Sequence, residues 1–173
     1  MTDGFAHRLP LDRIRDGERI DIAADAADLQ AIAARLDLVS LARLEAHATL
    51  SRDGAAIRAE GRVAAVLQQS CVITGDPVQA HIDEPFSLAF LPEPGGEPGH
   101  DELELGPEDC EVMFHDGATI DLGAAIADTL ALALNPYPRS AAAEVRLKEA
   151  GVLSEEQAGP FAALAKLKGA SET

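Results

Sequence analysis

Tryptophan is missing from this chain, tyrosine occurs once, phenylalanine five times and cysteine twice. With so few aromatics, the core has to be built from Leu, Ile, Val and Ala, which predicts thin layers. Two cysteines exclude a disulfide framework and read as reduced thiols of a cytosolic protein. There is no run of about eighteen apolar residues to span a bilayer, and the first residues lack the basic-then-apolar order of a secretory signal. These absences predict a soluble, cytoplasmic protein. At 173 residues the chain can bury a core without help from a metal or a disulfide.

Positive charge is missing over a long window. From Val63 to Pro138 there is no Lys or Arg, while Asp76, Asp83, Glu84, Glu111, Asp116, Asp121 and Asp128 lie there with many other acids, and the formal net charge is −16. Tight binding to phosphates needs cations to displace condensed counterions, so this composition points away from nucleic acid and toward a basic protein partner. Solubility alone is the plainer reason for so much acid.

What is present reads as a small α+β domain over residues 1–139 followed by a helical C-terminal tail, 140–173. Leu9 and Leu11 suggest an opening strand. Asp25 is a good N-cap for a short N-terminal helix carrying Leu29, Ile32 and Leu36. The period then switches to two. Leu44, Ala46, Ala48 and Leu50 take one face and Arg43, Glu45, His47 and Thr49 the other, Asp53-Gly54 turns the chain, and Ile57, Ala59, Gly61, Val63, Ala65 and Leu67 return. Arg58, Glu60 and Arg62 face outward. Thr74-Gly75-Asp76-Pro77 supplies a second turn into an alternating strand from Val78 to Phe90, interrupted at Glu84-Pro85, where a bulge, a bend or a sheet edge is expected.

These pieces predict an antiparallel β-meander. A mobile acidic loop is expected over 92–101, then one or two short strands carried by Leu103, Leu105, Val112 and Phe114. Asp121 opens the best amphipathic helix, 121–134, with Leu122, Ile126, Leu130 and Leu134 on one ridge, and Asn135-Pro136 ends it. The tail carries a capping box at Ser154 to Gln157 ahead of Phe161, Leu164 and Leu167.

Three segments in this order resemble the YceD family, whose members are linked to accumulation of large-subunit ribosomal RNA: Gln69-Ser70-Cys71-Val72-Ile73-Thr74, Ala118-Thr119-Ile120-Asp121-Leu122, and Pro160-Phe161-Ala162-Ala163-Leu164-Ala165-Lys166-Leu167-Lys168. The resemblance implies a non-enzymatic ribosome-biogenesis factor supporting large-subunit (23S) RNA in a bacterial cytoplasm. Many members carry Cys-x-x-Cys where this chain has Cys71-Val72-Ile73-Thr74. Because Thr is not a zinc ligand, no metal or other cofactor is expected, and Cys71 reads as a small buried hydrophobe at a strand end.

No nucleophile elbow, catalytic triad or phosphate loop is present, so no enzyme is expected. His47 and His81 fall on polar strand faces and read as solvated. Candidate partner contacts are Arg43, Arg58, Arg62, Asp121, Phe161, Lys166 and Lys168. The expected partner is a basic ribosomal protein or assembly factor. An acidic adaptor or nucleic-acid mimic unrelated to ribosomes is the alternative, and direct RNA binding through Arg43, Arg52, Arg58 and Arg62 is a third reading.

Overall fold

Alternation of apolar and polar residues from Ser40 to Pro92 produces three long strands, which dominate the computed structural model. The structure describes residues 5–93 and 111–151. The expected loop beyond Glu93, Leu103 and Leu105, the capping box at Ser154 to Gln157, Phe161, Lys166 and Lys168 all lie outside the described residues. In chain order the elements are β1 (Arg8–Pro10), β2 (Glu18–Ala23), α1 (Ala26–Arg35), β3 (Ser40–Asp53), β4 (Ala56–Ser70), β5 (Pro77–Pro92), β6 (Glu111–His115), β7 (Thr119–Asp121), α2 (Leu122–Ala133) and α3 (Ala141–Glu149).

The main sheet has the order β2-β3-β4-β5-β6, and β1 pairs with β7 in a separate two-stranded ribbon. Pairing of β2 through β5 is antiparallel, as the meander expectation requires. At β6 that expectation is corrected. Leu88 to Pro92 pair in parallel with Glu111 to His115, so the sheet is mixed. A parallel neighbour needs a crossover of a dozen or more residues, which the stretch between Pro92 and Glu111 provides, and side-chain alternation carries no information about strand direction. The same pairing carries β5 through Pro92, two residues past Phe90, where the acidic loop was expected to have begun already.

The strand β2 was not foreseen. Its Glu18-Arg19-Ile20-Asp21-Ile22-Ala23 run offers only Ile20 and Ile22 as large apolar residues, and the ladder to β3 supplies the rest.

One face of the sheet is covered by α1 and α2, whose exposed surfaces are joined by an Arg35–Asp128 ion pair at 3.2 Å. The core between them contains Ile32, Leu44, Leu50, Ile57, Val63, Leu67, Leu88, Leu122, Ile126 and Leu130, all fully buried. Each such side chain contributes about 1.5–3 kcal/mol by leaving water. Small residues fill the rest: Ala46, Ala48, Ala59, Ala65, Ala125 and Ala127 are buried too. At Gly61 the β3 backbone comes so close that a Cβ would stand 1.8 Å from the His47 carbonyl oxygen. The strand therefore needs glycine there for want of space.

Both anticipated caps are present. The Asp25 carboxylate accepts from Ala27 and Asp28 N–H, and Asp28 answers at the Asp25 N–H to close a capping box. Asp121 caps α2 by accepting from Ala124 N–H. Ser140 caps α3 in the same manner through Ala143 N–H.

Candidate interaction surfaces

The sheet's second face has no helix packed on it among the described residues, and the ladder register arranges it in rows. Asp21, His47 and Arg62 stand side by side across β2, β3 and β4, with Arg19, Thr49 and Glu60 in the next row and Ser51 beside Arg58 in the one after. Arg43, Arg58 and Arg62 thus share one exposed face, as their alternation predicted, and Arg19 joins them from the unforeseen β2. Acids neutralise much of it. Arg43 pairs with Glu45, Arg62 with Asp83 at 2.8 Å and His47 with Asp21 at 2.6 Å. The hydrogen bond from Arg43 holds the Glu45 carboxyl below the usual range. Arg52 points elsewhere: it donates to the backbone carbonyls of Leu11 and Gly54 and ties the opening segment to the hairpin.

Asp121 is engaged within the chain. Besides capping α2, it accepts from His7 N–H at 3.0 Å and from Arg8 Nε at 3.4 Å, while Leu122 N–H donates back to the His7 carbonyl. Gly123 makes room for this strap, since a Cβ there would lie 2.2 Å from the Phe5 carbonyl oxygen.

Cys71 closes β4 at a knot of polar groups. Its amide donates to the Asp76 carbonyl, Gly75 N–H donates to its own carbonyl, and its buried sulfur accepts from Ser140 N–H at 3.3 Å. Thr74 Oγ1 donates to Asp76 Oδ2 at 2.6 Å and lies 3.2 Å from Ser140 Oγ. Burial pushes the thiol up, but the Thr74 hydroxyl and the amides of Ser140, Ile73 and Thr74 outweigh it and hold the thiol at about 6. The Cys-x-x-Thr turn does not fit a zinc knuckle. It brings one thiol, and its one hydroxyl, on Thr74, is engaged by Asp76 and Ser140. Among the described residues no group of three or more His, Cys, Asp or Glu is gathered for a metal ion.

Of the histidines, His81 faces solvent as expected, and so does His47. His115 differs: it is 5% exposed, its Nδ1 accepts from Gly117 N–H and its Nε2 donates to the Ala55 carbonyl, both at 3.0 Å. It joins the β3–β4 hairpin to the turn after β6. Nothing in the adjacent sequence signals this, because Ala55 is sixty residues away.

The remaining surface feature is an edge. Beyond the Leu88–Pro92 stretch that β6 covers, β5 has no second strand neighbour among the described residues. The β4–β5 register runs without a shift from Ile57↔Phe90 to Ser70↔Pro77, so Glu84-Pro85 is neither bulge nor break. Of the alternatives, the sheet edge is the one realised. The Cys71 N–H to Asp76 carbonyl bond fixes the alternation of the ladder. Even-numbered residues of β5 bond to β4, and odd-numbered ones turn N–H and C=O outward. Pro77 and Pro85 occupy outward positions, where a missing donor costs the ladder nothing.

Comparison with known proteins gives one family. The family described as "Large ribosomal RNA subunit accumulation protein YceD" matches residues 59–168, from near the start of β4 into the tail. No curated protein and no solved structure matches the chain. No helix among the described residues is long and apolar enough to cross a membrane.

Proposed function

Because the chain belongs to the YceD family, described as large ribosomal RNA subunit accumulation proteins, we propose that it is a non-enzymatic ribosome-biogenesis factor. It supports the synthesis, processing or accumulation of large-subunit RNA through contacts with proteins. Family membership is the observation that carries the ribosomal part of this reading.

The preference for protein over RNA rests on charge. The arginines that share the outer sheet face alternate with Asp21, Glu45, Glu60 and Asp83, and the pairs Arg43–Glu45 and Arg62–Asp83 would have to open before either guanidinium could meet a phosphate. Such exposed pairs are weak, yet a face of near-zero net charge offers no counterion release to drive RNA binding. The acid-rich window from Val63 to Pro138 suits a basic protein surface, as ribosomal proteins and assembly factors present.

Deleting the gene and profiling ribosomal RNA and subunits tests the reading. Reduced large-subunit RNA, with small-subunit RNA spared, is expected. Normal RNA and particle levels under rapid growth and stress would overturn it and leave a general acidic adaptor as the better account.

A further inference from the structure

The edge of β5 between Pro77 and Pro85 joins three properties. First, Gln79, His81 and Asp83 direct their backbone N–H groups away from β4, and no described strand meets them. Second, the sheet is incompletely covered there. Val78, Ala80 and Ile82 point to the helix-covered face yet remain only half-buried, although their cross-strand partners Gln69, Leu67 and Ala65 are buried. Third, the strand's own charge is of one sign, with Arg62 of β4 pairing with Asp83 from the neighbouring strand. Asp76, Asp83 and Glu84 flank the edge, and β5 itself carries no Lys or Arg.

We propose that this edge is a strand-addition site for an extended basic segment of a protein partner, in which apolar residues alternate with Lys or Arg. Its main chain would bond to the outward groups of Gln79 and His81 and to the Asp83 N–H. Its apolar residues would continue the row of Val78, Ala80 and Ile82, and its cations, on the opposite face, would stand beside Asp83. A second copy of this chain is the poorer occupant, since each copy brings a net charge of −16.

The prolines set the length of the slot, because neither can donate to an added strand at its outward position. Arg62 narrows it further by reaching from β4 to the Asp83 carbonyl, at 3.1 Å, as well as to its carboxylate. These features guard the edge against indiscriminate pairing and leave a short, acid-flanked opening.

The test uses the full chain and a short synthetic peptide alternating Val with Lys, followed by amide NMR. In the free protein the amides of Gln79, His81 and Asp83 should exchange rapidly at every protein concentration. The Val/Lys peptide should protect them, and its affinity should fall with added salt. His81→Pro should fold like the parent, since the amide it removes makes no bond to β4, and should bind about tenfold more weakly, the equivalent of one lost hydrogen bond. A peptide N-methylated at alternate residues should fail to bind the parent protein, which tests the same contact without altering the chain.

Amides already protected in the dilute free protein would overturn the proposal by showing the edge covered by the chain itself, and protection growing with protein concentration would assign it to a second copy. Equal binding of a Val/Glu peptide or of the N-methylated peptide would also overturn it. The site rests on the reading of a recruited basic protein, and the two fail separately. Normal ribosomal RNA in the deletion strain overturns that reading whatever the peptide does. A deletion defect fully restored by the His81→Pro protein overturns the strand-addition site alone.

Discussion

His115 and Cys71 show what single side chains contribute here. Replacing His115 by Ala removes the hydrogen bonds at both ring nitrogens and leaves the Ala55 carbonyl and the Gly117 amide without partners. A loss of about 1–3 kcal/mol is expected from urea denaturation. Cys71 gives a pH dependence. Its thiol is held at about 6 in the folded chain and returns toward its ordinary value of about 8.5 on unfolding, so between these values the unfolded chain binds more protons. The stability it contributes is complete above the unfolded value and vanishes as pH falls through 6. Denaturation of the parent protein and of Cys71→Ala at pH 5.5, 7 and 8.5 should therefore give a difference that grows with pH. An unchanging difference would mean that Cys71 acts by packing alone. At this scale the sequence was informative where the partner is local: the caps by Asp25 and Asp121 and the Thr74–Pro77 turn act within a few residues, whereas the reach of Asp121 to His7 and of Thr74 to Ser140 was not legible. His115 was opaque because its role depends on an atom from another hairpin.

Elements were legible through their periods and opaque in their pairing. Alternation identified β3, β4 and β5, and the helical ridge with its Asp121 cap identified α2 to within a residue at each end. Alternation could say neither that β6 runs parallel nor that β2 exists, since direction and neighbour are properties of the ladder. Gly61 lies between these cases. Its place in the strand was plain, but the 1.8 Å approach of the His47 carbonyl to a would-be Cβ was not. Gly61→Ala must push β3 and β4 apart at the centre of the sheet, and a loss of more than about 3 kcal/mol, or failure to fold, is expected by thermal melting. Asp121→Ala should cost more than the roughly 1 kcal/mol of an ordinary cap, because the carboxylate also holds His7 and Arg8. Asp121→Asn, which keeps an acceptor oxygen, should recover most of the loss in the same melt.

For the molecule as a whole, composition was the better guide to surface and topology the better guide to sites. The net charge of −16 and the cation-free window were readable from the start. That the arginines before this window would be interleaved with acids from neighbouring strands depended on register, which only the assembled sheet supplies. The consequence is measurable: isolated RNA should show no binding by filter retention at about 0.15 M salt, and retention that falls steeply with salt would instead make the arginine face a phosphate contact. A consequence of another kind follows from the strap at Asp121. Arg8 pairs with Asp121 and Pro10 with Thr119, so β1 has no partner until the chain beyond residue 121 has been made. At about 5–20 residues per second of synthesis, the opening strand must wait several seconds while β2 to β5 can already be assembling. This ribbon is thus built from residues made well apart in time, and during that interval the nascent chain carries β1 as an open strand for chaperones or proteases to find.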